Sequence, residues 1–271
     1  MAKLQLTLYD LVAYLVPGVV ALWIVGVLLK WVSGESLRLS GASDWVNGVI
    51  FLAAAYFVGH VVQAVGNRIE PFLFHAWGGY PSQRLLMGQA EWEREFTHRQ
   101  SQWDNRSRPA RLVRYAVLRL YPHSPIRGAH YSESLRNQII GSATDYFALD
   151  AKARPQEIFD LCYSLIVAEG VPSLVPVFNA FFSLYRGMVV VCLTCGATLL
   201  SGAVVSAVHP RWQPSPFGTV GALVLAAVFF GLAHLFVGRY RGFGEHFADA
   251  VYRTFYVYIR RRATSGDKAH R

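Results

Sequence analysis

Four stretches of the chain are free of charged side chains and almost wholly apolar: residues 11–29, 45–66, 187–208 and 217–238. Each has about the roughly 20 residues that a helix needs to cross a hydrocarbon layer of about 30 Å. Between the second and third, the pattern changes to apolar positions recurring at three and four among arginines and glutamates, which predicts amphipathic helices over 81–96, 108–121, 132–149 and 155–168. Pro155 with Glu157 marks a helix start and Gly170 a helix end. Sustained alternation of the strand kind is absent from that segment, and residues 97–108, rich in polar and basic side chains, are expected to form a loop. The fold class is therefore all-α: a polytopic membrane protein with four transmembrane helices and a mainly helical cytosolic insertion.

Its segments are a transmembrane hairpin over 1–66, a cytosolic domain over 67–186, a second hairpin over 187–238 and a basic amphipathic tail over 239–271. Residues 176–186 carry Phe178, Phe181, Phe182 and Tyr185 and meet the third span without a breaker, so one continuous helix is expected there. Phe243, Phe247, Val251, Phe255 and Tyr258 recur every three or four residues ahead of Arg260, Arg261 and Arg262. That tail reads as an amphipathic helix at the inner leaflet, its arginines each worth about 1 kcal/mol near anionic lipid head groups.

Composition narrows the function classes. Apolar residues make up 53% of the 271 and charged residues 16%, with a mean hydropathy of +0.28, against about a quarter charged in an ordinary soluble domain. The net charge is +9, yet the central segment holds fourteen basic against eleven acidic residues, which argues against a nucleic-acid surface. The two short connections hold only Lys30, Arg38 and Arg211. The basic excess elsewhere places both termini and the insertion in the cytoplasm. Three cysteines make no disulfide framework, and Cys192-x-x-Cys195 lacks the second pair a zinc site needs.

One polar constellation stands out. His60, Gln63, Asn67 and Glu70, at offsets of three, four and three, fall toward one side of the second helix near its cytoplasmic end. Asp10 and Tyr14 at the start of the first span and His234 near the end of the fourth are expected at a similar depth. Such a cluster suits an ion, a lipid head group or a small ligand, or serves as hydrogen-bonding glue between helices, the stronger of the two readings. No metal or cofactor is called for, and no catalytic motif appears.

The stretches Tyr9-Asp10-Leu11-Val12-Ala13-Tyr14-Leu15-Val16-Pro17-Gly18, Gly59-His60-Val61-Val62-Gln63-Ala64-Val65-Gly66-Asn67 and Phe178 to Gly187, with Arg239 to Phe243, resemble uncharacterised bacterial four-span inner-membrane proteins that carry a cytosolic insertion. The resemblance covers the membrane parts and little of 81–170. By analogy with membrane effectors of anti-phage systems it implies a non-enzymatic sensor or effector, a homo-oligomer answering a cytosolic protein or small-molecule trigger. A transporter or channel subunit built on the polar cluster, and a membrane enzyme acting on lipid, are the alternatives.

Overall fold

The computed structural model describes residue 9 and residues 11–33, 43–77, 79–104, 131–150, 153–208 and 218–269. Among these the regular structure is entirely helical. A short π-helix, Leu11–Leu15, leads into α1 (Val16–Ser33). There follow α2 (Asp44–Ala76), α3 (Pro81–Leu86), α4 (Gln89–Asp104), α5 (Glu133–Phe147), α6 (Pro155–Ala168), α7 (Val175–Val208) and α8 (Gly218–Ala269).

Three of these, over Asp44–Phe74, Val175–Val208 and Gly218–Thr264, are long and apolar enough to cross a membrane, consistent with a membrane protein. The first apolar segment, Leu11–Gly26, is shorter. The expected continuity of 176–186 with the third span is present in α7. Two expectations differ. Residues 97–104 are the second half of α4 rather than loop, and the run expected as one helix over 81–96 is broken at Met87 and Gly88. The expected helix over 108–121 lies outside the described residues.

The chain divides into two compact units, one of residues 1–70 and 180–241, the other of 71–179 and 242–271. In the second, local rules set the helix ends. Ser132 caps α5 by accepting the Leu135 N–H at 3.3 Å, and α5 closes on Ala148 in the left-handed region at φ 50°. Pro155 opens α6, and Gly170 at φ 58° ends its last turn, where the Val171 N–H reaches the Ile166 carbonyl at 3.0 Å.

These helices wrap a core of Leu85, Leu86, Ile139, Ala143, Ile158, Cys162 and Ile166, closed by Ala248, Val251, Tyr252 and Phe255 from the end of α8. Val251 and Phe255 are fully buried. The tail stripe expected at a lipid surface therefore spends its central residues on protein, because α5 and α6 supply an apolar face of matching length. Tyr252 is sealed in the same core, its hydroxyl donating to the Ser82 carbonyl at 3.0 Å. Burial holds the Arg84 guanidinium below its usual range, with Glu245 at 3.7 Å opposing the shift. Burial, and then Asp249, whose carboxylate accepts its hydroxyl at 2.8 Å, push Tyr131 up. Burial likewise raises the Cys162 thiol.

Candidate functional site: a saturated polar lock

The first unit is built on close helix approach. A Cβ added to Gly18 would lie 1.8 Å from the Ala55 carbonyl oxygen, and one added to Gly59 would lie 2.0 Å from that of Tyr14, so only glycine lets the two backbones meet. Gly187 of α7 closes on the same place, where a Cβ would meet the Gln63 amide at 2.8 Å and the Pro17 ring at 2.9 Å. Ile24, Val62, Val190, Val191 and Cys195 pack beside this crossing.

At that convergence sits Gln63, 3% exposed. Pro17 has no N–H, so it leaves the Ala13 carbonyl without its ordinary helical donor four residues on. The Gln63 Nε2 donates to that carbonyl at 2.6 Å and to the Ser183 carbonyl at 2.8 Å. Its Oε1 accepts from Arg186 twice, from Nε at 3.1 Å and from Nη2 at 3.0 Å. Both donors and both acceptor sites of the amide are thereby used. The third guanidinium nitrogen, Nη1, donates to Glu70 Oε2 at 2.5 Å, and the same oxygen accepts the hydroxyl of the buried Tyr240 at 2.9 Å. The Phe182 ring lies 5.8 Å from the guanidinium carbon and stacks on Tyr240 at 4.7 Å.

The chain of contacts from Ala13 through Gln63, Arg186 and Glu70 to Tyr240 ties together the π-helix, α2, α7 and α8. The pair is sealed, with side chains 14% and 17% exposed, and sums to zero charge. The arrangement ties helices together, and its central amide has no bonding capacity to spare.

Of the polar cluster expected from sequence, the structure brings Gln63 and Glu70 into this lock. It does not bring in His60, Asn67 or His234, all three exposed. Helix geometry explains the split: Glu70 lies about 20° around α2 from Gln63, whereas Asn67 and His60 lie about 40° and 60° to the other side. Tyr14 is half-buried and stacks on His60 at 4.1 Å. Asp10 lies outside the described residues.

Arg260, Arg261 and Arg262 are exposed. Two of them rest on tyrosines: Arg260 Nε donates to the Tyr256 hydroxyl at 3.1 Å and Arg262 Nη1 to that of Tyr146 at 3.2 Å. Arg186, Ser183 and Tyr240 are the members of the lock that the sequence reading did not place in it.

In the second unit a cleft of about 450 Å³ opens between the Glu169–Pro172 turn and α8, lined among others by Arg253, Thr254, Tyr258 and Arg261. Its volume is that of a small-molecule site. Among the described residues no group of three or more His, Cys, Asp or Glu is placed to hold a metal ion. No protein-family model, curated protein or solved structure matches the chain.

Proposed function

We propose that this is a non-enzymatic, four-span inner-membrane module of bacterial type, its termini and helical bundle in the cytoplasm, which senses a cytosolic trigger and answers by altering the membrane as a homo-oligomer. The observation that carries this reading is helix continuity. α2, α7 and α8 each contribute to both compact units, with the divisions falling inside the helices, after Glu70, Asn179 and Arg241. A change in the bundle core therefore has α7 and α8 along which to act, whereas α2 carries Pro71 at its division.

The lock favours an effector over the transporter reading. A substrate pathway needs polar groups with bonding capacity to spare, and Gln63 has none. The cleft between the Glu169 turn and α8, lined by two arginines, two hydroxyls and the Glu169 carboxylate, is a seat for a small polar trigger. Arg260, Arg261 and Arg262 are exposed for anionic head groups.

The test is membrane-potential dye fluorescence in bacteria expressing the intact chain and, separately, Ile139→Asp, which places a charge in the bundle core. Depolarisation in either, or a difference between them at equal membrane content, supports the effector. Unchanged potential in both overturns it.

A further inference from the structure

His60 has no polar partner among the described residues. It is exposed on α2, and among the described residues its contacts are the rings of Tyr14 at 4.1 Å and Tyr56 at 4.6 Å, with no hydrogen bond. It lies eight residues before Arg68, about 12 Å along the helix, inside the apolar stretch. Lipid tails offer an imidazole no partner, and its side chain is too short to reach the head groups as a lysine would.

We propose that this side of α2 packs against the same side of a second copy of the chain, with His60 of one protomer hydrogen-bonded to the partner's His60. The inference rests on the membrane-spanning homo-oligomer reading given above and names its interface. Self-complementarity selects the occupant. A neutral imidazole carries one donor and one acceptor, so an identical group satisfies it. A two-fold axis along the membrane normal places identical residues at identical depth without further adjustment.

Asn67, also exposed and without a hydrogen bond among the described residues, follows one heptad later and is self-complementary in the same way. Ala53 and Ala64, exposed on this side, let the two backbones come close. The adjacent side of α2, from about 40° away around the helix, is already occupied by Gly18, Tyr14 and Arg186 through Gly59, Gln63 and Gly66.

The experiment uses the full chain in native membranes washed with carbonate. Ala64→Cys and Ala53→Cys are oxidised with copper phenanthroline and run on non-reducing gels beside the natural chain, whose three cysteines are buried, and beside Leu235→Cys on the exposed surface of α8. Disulfide-linked dimer from Ala64→Cys and Ala53→Cys, and little from the other two, is expected. Adding His60→Leu to Ala64→Cys should lower dimer yield at least threefold at equal membrane content, while His60→Asn, which keeps a donor and an acceptor, should preserve it.

Absence of dimer from both alanine positions, equal dimer from Leu235→Cys, or indifference to His60→Leu overturns the interface. Depolarisation without dimer overturns the interface and leaves the effector reading standing. Dimer without any change of potential supports the interface and counts against the effector.

Discussion

Gln63 on α2 donates its amide, at 2.6 Å, to the carbonyl of Ala13, the carbonyl that Pro17 strips of its helical partner. A proline inside an apolar segment normally leaves such an oxygen for another helix to satisfy. Here the satisfying group also organises Ser183 and Arg186, so a local backbone defect becomes the centre of a helix junction.

Gln63→Leu should therefore cost more than one hydrogen bond. It leaves the Ala13 carbonyl and two guanidinium N–H groups short of partners, at roughly 1–3 kcal/mol for each buried group left unsatisfied, while the Ser183 carbonyl keeps its place in α7. A clear fall in melting temperature of the detergent-solubilised chain, followed by size-exclusion fluorescence, is the expected result. Gln63→Glu keeps the acceptors for Arg186 but turns a carboxylate oxygen on the Ala13 and Ser183 carbonyls, and should also melt below the natural chain.

The Arg186–Glu70 pair makes a sharper case. Arg186→Met or Glu70→Gln alone strands a largely buried charge and should destabilise by about 1–3 kcal/mol. Combining them removes both charges, and the double variant should be more stable than the sum of the single losses implies. A double-mutant cycle on unfolding in detergent checks this; additive losses would mean that the two side chains do not interact.

Glycine positions give a steric prediction with a built-in control. Gly59→Ala drives a methyl to 2.0 Å from the Tyr14 carbonyl oxygen and must push α1 and α2 apart, whereas Gly231→Ala meets nothing within 4 Å. The first should lower thermal stability markedly. The second should leave it unchanged or raise it by up to about 1 kcal/mol through helix propensity.

Cys162 yields a pH prediction. Burial raises its thiol pKa in the folded bundle above the ordinary value of 9.0. The stability this implies is complete below about pH 9 and is lost as pH rises from there toward the folded value, because the unfolded thiol ionises first. The bundle should unfold more readily at pH 10 than at pH 7.5, and Cys162→Ala should reduce that difference. Iodoacetamide at pH 8, read peptide by peptide in a mass spectrometer, should label Cys162 only after denaturant is added.

Much of this was legible in the chain itself. Apolar run lengths point to the helices that became α2, α7 and α8, and Pro155 and Gly170 mark the ends of α6 within two residues. The crowding of Gly18, Ala55 and Gly59 is visible as small residues at multiples of four, Gly18 with Gly26 and Ala55 with Gly59. Half the lock was visible too, since Gln63 and Glu70 are seven apart.

Its other half was written in scarcity. Glu70 is the one acidic residue between Asp44 and Glu91, and Arg186 the one basic residue between Arg154 and Arg211, each at the end of an apolar run. Two such isolated opposite charges have every reason to meet. Counting offsets along one helix, which groups His60, Gln63, Asn67 and Glu70, has no means of pairing Glu70 with Arg186. His60 and Asn67 were grouped with Gln63 because offsets of three and four keep residues within about 60° on a helix, and only packing shows which side of that arc is covered. The tail stripe was ambiguous for a different reason, since lipid and an apolar protein face reward the same periodicity.

The order of the lock along the chain sets a timetable for synthesis. Glu70 leaves the ribosome 116 residues before Arg186 and 170 before Tyr240. At about 5–20 residues per second, the wait for the arginine is roughly 6–23 s. Throughout that interval the nascent first hairpin holds the Glu70 carboxylate and the Gln63 side-chain carbonyl without their guanidinium. The charge pair closes only when α7 arrives, so a ribosome that stalls before residue 186 releases a chain whose α2 still carries an open polar seam, a ready mark for membrane proteolysis.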